Sequence, residues 1–180
     1  MSATRILLIS SAAYVMTLVV RNLQRSVTFS LKKLRNHVQL LMNLLEMESY
    51  SLGVIFVGES CIKQMNNEYC NINKPTDILS FPNHIIMPGK LHTNEALKLD
   101  ENLGDIFLCP SVIRNHCVDD ETDFQNSLPV YVTHGICHLM GYTHHTSEDW
   151  TLMFSKEKEI LSAFAERTGI ICSPLTAQSN

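Results

Sequence analysis

A chain of 180 residues and 20.4 kDa fits a single domain, and 45% hydrophobic residues suffice for its core. Charged residues make up 18%, which excludes wholesale disorder, and a net charge of −4 with a pI near 6.0 excludes a uniformly basic nucleic-acid-binding surface. The charge is uneven: residues 1–45 hold six basic side chains and no acid, while the remainder holds eight bases against all 18 acids. A basic end on an acidic body suits an anionic partner, a targeting signal or a plainly solvated helix face. The six cysteines form no C-x-x-C pair, and the chain is too long to need a disulfide framework, so they read as reduced thiols.

Ile6 to Val20 carry no charge. That run is shorter than the ~20 apolar residues of a membrane span. Residues 1–15 read as an N-terminal extension or targeting segment, residues 16–170 as the domain, and residues 171–180 as a flexible tail. The first strand is expected at 17–22. Leu31, Leu34, Val38, Leu41 and Leu45 recur at helical spacing, with Ser30 as the cap. A buried strand follows at Leu52–Val57, then a helix from Glu59 to about Tyr69. Thr76–Phe81 is a short strand stopped by Pro82, and Asn83–Asn102, with Pro88 and Gly89, is a long loop. Leu103–Cys109 is a strand, Ser111–Cys117 a helix and Asp119–Asp123 an acidic link. The next helix runs from Phe124 to Met140, with Pro129 expected in its first turn and Gly141 ending it. Thr146, Ser147, Glu148 and Asp149 open a last helix that reaches about Arg167, and the polar tail from Ser173 reads as loose. The expected architecture is α+β, a small mixed sheet of about four strands packed with helices.

Four of the eight histidines, His134, His138, His144 and His145, crowd into twelve residues. On a helix, positions i and i+4 share a face, so His134 and His138 aim at one point. A continued helix would carry His144 ~9 Å further on. Gly141 instead allows the chain to swing back and supply His144 as a third nitrogen, with His145 as a substitute. Cys137 lies about 100° around the helix from His138 and is left out. Three protein ligands leave one position for water, the catalytic rather than the structural pattern for Zn²⁺. Three imidazoles also suit Ni²⁺, Cu²⁺ or Fe²⁺. The H-x-x-x-H-x-x-G-x-x-H spacing is that of a metzincin protease, but the residue after the first histidine is Gly135 instead of the glutamate base. A metallopeptidase is therefore the weaker reading.

The segment from Thr133 to His145, THGICHLMGYTHH, resembles the signature of the YbeY endoribonucleases. Lys74–Pro82 (KPTDILSFP) resembles the PTDVLSFP block of that family, Leu103–Phe107 (LGDIF) its LGDI strand, and Val19–Arg25 (VVRNLQR) the N-terminal strand of its animal members. The likeness covers roughly residues 16 to 170. It implies a zinc-dependent endoribonuclease acting on single-stranded RNA in ribosomal RNA maturation and small-subunit assembly, with His134, His138 and His144 as metal ligands. It also implies contact with a small ribosomal subunit protein and a mitochondrial location, with the cytoplasm as the alternative.

Two positions depart from the family pattern. Cys70 stands five residues before Pro75, where the family has an arginine able to clamp phosphate. Thr143 stands where many members have an aspartate beside the third histidine. Lys74 is the nearest cation that could compensate, and Lys74 and Thr76 are the substrate-binding candidates. Asp77 and Ser80 are candidates to line the cleft, and Ile78, Leu79 and Phe81 read as sheet or core residues. Asp105 is the candidate strand-end carboxylate. No general base is assigned. The basic helix with Lys32, Lys33 and Arg35 is a candidate to steer the RNA backbone. The rival to an enzyme is a ribosome-assembly factor with attenuated or lost ribonuclease activity.

Overall fold

The structure, a computed structural model, describes residues 17–91 and 100–178. The expected extension at 1–15 lies outside the described residues. Four strands form one mixed sheet in the order β1-β2-β4-β3: β1 (Leu18–Asn22), β2 (Ser51–Phe56), β3 (Ile78–Pro82) and β4 (Asn102–Leu108). The first two pairings are parallel, and β3 runs antiparallel to β4, with Ser80 opposite Ile106. Five helices accompany them among the described residues: α1 (Leu31–Leu44), α2 (Glu59–Cys70), α3 (Pro110–Asp119), α4 (Phe124–Leu139) and α5 (Ser147–Thr168). The α+β expectation with a four-stranded mixed sheet is met.

Strand alternation sends side chains to two faces. Leu52, Val54 and Phe56 of β2 join Ile106 and Leu108 of β4 in the main core, together with Leu34 and Leu41 of α1, Val132 and Ile136 of α4, and Leu161 and Phe164 of α5. Ile55, Leu79 and Phe107 face the other way and pack with Ile62 of α2. Helix α4 is buried along almost its whole length from Leu128 to Leu139, which is what a helix apolar on every side requires.

Two local expectations, on Pro129 and on the C-terminal segment, are corrected, and the long loop expected after β3 gains anchoring contacts. Pro129 is the sixth residue of α4, in the second turn, where it removes an interior backbone donor. The long loop after β3 is anchored within its described part. Ile86 and Leu91 are buried, and the Asn83 amide donates to the Asp100 carboxylate at 3.0 Å. The C-terminal segment does not read as its polarity suggested: Leu175–Gln178 form a short 3₁₀ turn, and Leu175 and Thr176 are buried.

Candidate metal centre

Helix α4 stops where the third ligand has to turn back. The Gly141 N–H reaches the His138 carbonyl at 2.9 Å and the Tyr142 N–H reaches the Cys137 carbonyl at 3.0 Å, tying up the last carbonyls of the helix. Gly141 takes φ +88°, and a Cβ there would collide with the Ile86 carbonyl, so both conformation and space demand glycine. Beyond it the chain returns His144 to the helix end. One ligand atom from each of His134, His138 and His144 lies within 4.8 Å of the other two.

Each helix histidine is oriented from behind. His134 Nδ1 is 2.6 Å from the carboxylate of Glu157, which lies on α5 and is fully buried. The same carboxylate accepts the Thr176 N–H at 3.0 Å and the Thr176 hydroxyl at 2.8 Å. Burial pushes the Glu157 carboxyl up, but His134 and Thr176 together overcome it and hold the group below its ordinary range, so it is an acceptor only. His134 Nδ1 must then be the donor. His138 Nδ1 lies 3.0 Å from the Tyr142 carbonyl, again an obligate acceptor. Burial, followed by the neighbouring His134 and His144, pushes His138 down to about 4, and burial, followed by His134 and His145, lowers His144.

With both Nδ1 atoms donating backward, the Nε2 lone pairs of His134 and His138 point at each other across 3.0 Å. Two converging lone pairs on neutral rings repel unless a cation sits between them, and so the donor set fits a metal ion. His145 is exposed and outside the cluster, its ring 6.0 Å from that of His144. Cys137 is fully buried, and burial raises its thiol well above the ordinary value, so no thiolate competes.

Gly135 also has a steric reason. A Cβ there would come within 2.7 Å of the Ile106 side chain, so α4 presses directly onto β4 at the position a metzincin gives to its glutamate. Asp105, the neighbour of Ile106, is exposed on the opposite face, where a Cβ on Gly53 would strike its carboxylate. Its carboxylate therefore faces away from the histidines and does not serve them as a base.

The histidines open into a cleft of about 920 Å³. Thr76, Asp77 and Ser80 line it as expected, and so do Ile78, Leu79, Cys70 and Thr143. Lys74 is exposed and not among the lining residues; its carbonyl accepts the Asn66 amide at 2.9 Å, which fixes the link between α2 and β3. The basic helix is elsewhere. Lys33 Nζ lies 3.0 Å from Asn126 Oδ1, eight residues before His134, or about 12 Å along α4, and none of Lys32, Lys33 and Arg35 lines the cleft. Sequence reading missed Glu157 and Thr176. The one available signal was an acid set in the apolar stripe Met153, Ile160, Leu161 and Phe164 of α5.

A sheet backed by a buried helix, with three convergent imidazoles at that helix's end, is a site that could hold a metal ion, and three protein ligands would leave a coordination position open. Comparison with known proteins then gives the family. The family profile described as Endoribonuclease YbeY matches residues 19–165. The chain is 40% identical over 161 residues to Endoribonuclease YbeY of Homo sapiens, covering 89% of this chain and 96% of that one. It is 33% identical over 159 residues to Endoribonuclease YbeY of Desulforamulus reducens, covering 86% and 99%. The solution structure of TM1509 from Thermotoga maritima has the same fold at a TM-score of 0.51 and 22% identity, covering 88% of this chain and 99% of that one. The chain belongs to the YbeY endoribonuclease family. Membership supports an endoribonuclease role, and with it hydrolase chemistry on RNA.

Proposed function

We propose that the protein is a zinc-dependent, single-strand-specific endoribonuclease of ribosomal RNA maturation, working with a small ribosomal subunit protein in mitochondria. The observation that carries the reading is the convergence of His134, His138 and His144 in an open cleft of a YbeY-family chain. Bound zinc supplies Lewis-acid polarisation and a more acidic water. The chain's own residues do the rest. Glu157 and the Tyr142 carbonyl hold Nδ1–H of His134 and His138, so that both Nε2 lone pairs stay committed to the site. Thr76 and Ser80 line the cleft; the Thr76 hydroxyl donates to Asp77 Oδ1 at 3.0 Å, and Ser80 Oγ is buried without a partner among the described residues. The peptidase reading is disfavoured by Ile106 filling the space beside Gly135.

A second reading, a ribosome-assembly factor with attenuated activity, is favoured by Cys70 on the cleft wall, a neutral thiol that cannot clamp a phosphate. The test is cleavage of an end-labelled single-stranded RNA by the zinc-loaded chain, with His138→Ala prepared identically. Cleavage by wild type alone supports the enzyme. Silence in both, with retained binding to a small-subunit protein, supports the assembly factor, and equal cleavage in both marks a contaminating nuclease.

A further inference from the structure

Apart from its histidines, the described cleft wall has no cation to offer. Among the described residues lining it there is no lysine or arginine, whereas Asp77, Asp119 and Asp120 present carboxylates. An RNA strand entering this wall needs an N–H donor facing its phosphates. Two histidines outside the ligand set line the cleft, His116 and His145, and His145 follows directly on a ligand. His116 stands on a separate element, in the last turn of α3, with its side chain 44% exposed.

The ring of His116 is held at one nitrogen. Nδ1 lies 3.3 Å from the Tyr131 hydroxyl of α4 and 3.7 Å from the Asp77 carboxylate. Asp77 is itself fixed, its Oδ1 accepting the Ile78 N–H at 2.8 Å and the Thr76 hydroxyl at 3.0 Å. Tyr131 is buried, and burial followed by the charge of Asp77 raises its hydroxyl, which keeps its proton. When the Tyr131 hydroxyl donates to Nδ1 of a neutral ring, the ring's one proton is on Nε2. In the imidazolium form Nε2 is protonated as well. In both of these forms Nε2 is a donor on a half-exposed ring whose Nδ1 is anchored; the third form, with Nδ1–H turned to the Tyr131 oxygen or toward the Asp77 carboxylate, leaves Nε2 an acceptor, so a phosphate oxygen selects the first two.

We propose that His116 is a substrate-binding residue, its Nε2–H contacting a non-bridging oxygen of an RNA phosphate in the cleft, with Tyr131 and Asp77 as its positioning residues. The proposal rests on the ribonuclease reading above and adds the residue that holds the backbone beside the metal centre.

The test uses the zinc-loaded full chain and two readouts: anisotropy with a fluorescent, uncleavable phosphorothioate 2′-O-methyl single strand, and steady-state cleavage of the matching RNA. His116→Ala is expected to weaken binding about tenfold, the loss of one hydrogen bond to a charged group. KM should rise by the same factor with kcat changed less, and His116→Arg should restore binding. Tyr131→Phe should fall between wild type and His116→Ala. The proposal is overturned if His116→Ala, melting as wild type does, binds and cleaves normally. It is equally overturned if His116→Arg fails to recover what alanine loses, which would mark a packing role. Cleavage that depends on His138 but not on His116 sinks this inference alone, whereas a wild type that neither binds nor cleaves RNA sinks the ribonuclease reading with it.

Discussion

Glu157→Gln tests whether the buried carboxylate sets the metal site from behind. The substitution keeps shape but replaces an oxygen with an NH₂, and the carboxylate has three donors to satisfy: His134 Nδ1–H, the Thr176 N–H and the Thr176 hydroxyl. If the amide oxygen faces His134, the NH₂ meets the Thr176 N–H and two donors are left buried. If the amide turns over, its NH₂ requires His134 Nδ1 to accept, which moves the ring proton to Nε2 and blocks the ligand atom. The first arrangement costs about 1–3 kcal/mol for an unsatisfied buried donor. The second lowers metal affinity about 10–100-fold, the usual effect of losing a carboxylate behind a ligating histidine. Competition with a chromophoric chelator measures the affinity, and thermal melting of the metal-free protein measures the stability. A Glu157→Gln protein that melts with wild type and binds Zn²⁺ equally well would refute the reasoning.

Four further outcomes follow from the geometry. Gly141→Ala, at φ +88° and against the Ile86 carbonyl, should displace His144 and abolish tight Zn²⁺ binding while far-UV dichroism changes little. Gly135→Glu should not confer peptidase activity; it should destabilise the fold by about 1–3 kcal/mol through overpacking against Ile106, read as a lowered urea midpoint. Cys70→Arg should raise single-stranded RNA cleavage, by placing a bidentate phosphate donor on a cleft wall that has none among the described residues; an unchanged rate would count against that account. His37 is buried against Phe164, its Nδ1 lacking a partner among the described residues, and burial followed by Lys33 lowers it below its ordinary 6.5. The unfolded chain therefore binds a proton before the native one does, and stability should fall as pH drops below about 6.5. His37→Leu should lessen that loss in denaturant titrations at pH 7 and pH 5.

The sequence by itself determined the elements and the ligand set. Helical spacing places Leu34, Val38 and Leu41 on one face of α1, the strand at Leu103–Cys109 is found to within one residue as β4, and the offsets of His134, His138 and His144 about Gly141 imply convergence. These are local properties, because a period of 3.6 and a glycine's positive φ are written within a few residues. Tertiary structure decided what lies behind and around the histidines. Glu157 and Thr176, 23 and 42 residues beyond His134, reach it only because α5 packs on α4 and the C-terminal turn folds back. Asp105 turned out to face away, and Lys33 to sit at the far end of α4, because strand alternation and helix direction fix orientation only once the sheet order is known. Burial did the remainder: it keeps His138 neutral and the Cys137 thiol protonated, and burial is a property of the packed chain that no short stretch of sequence contains.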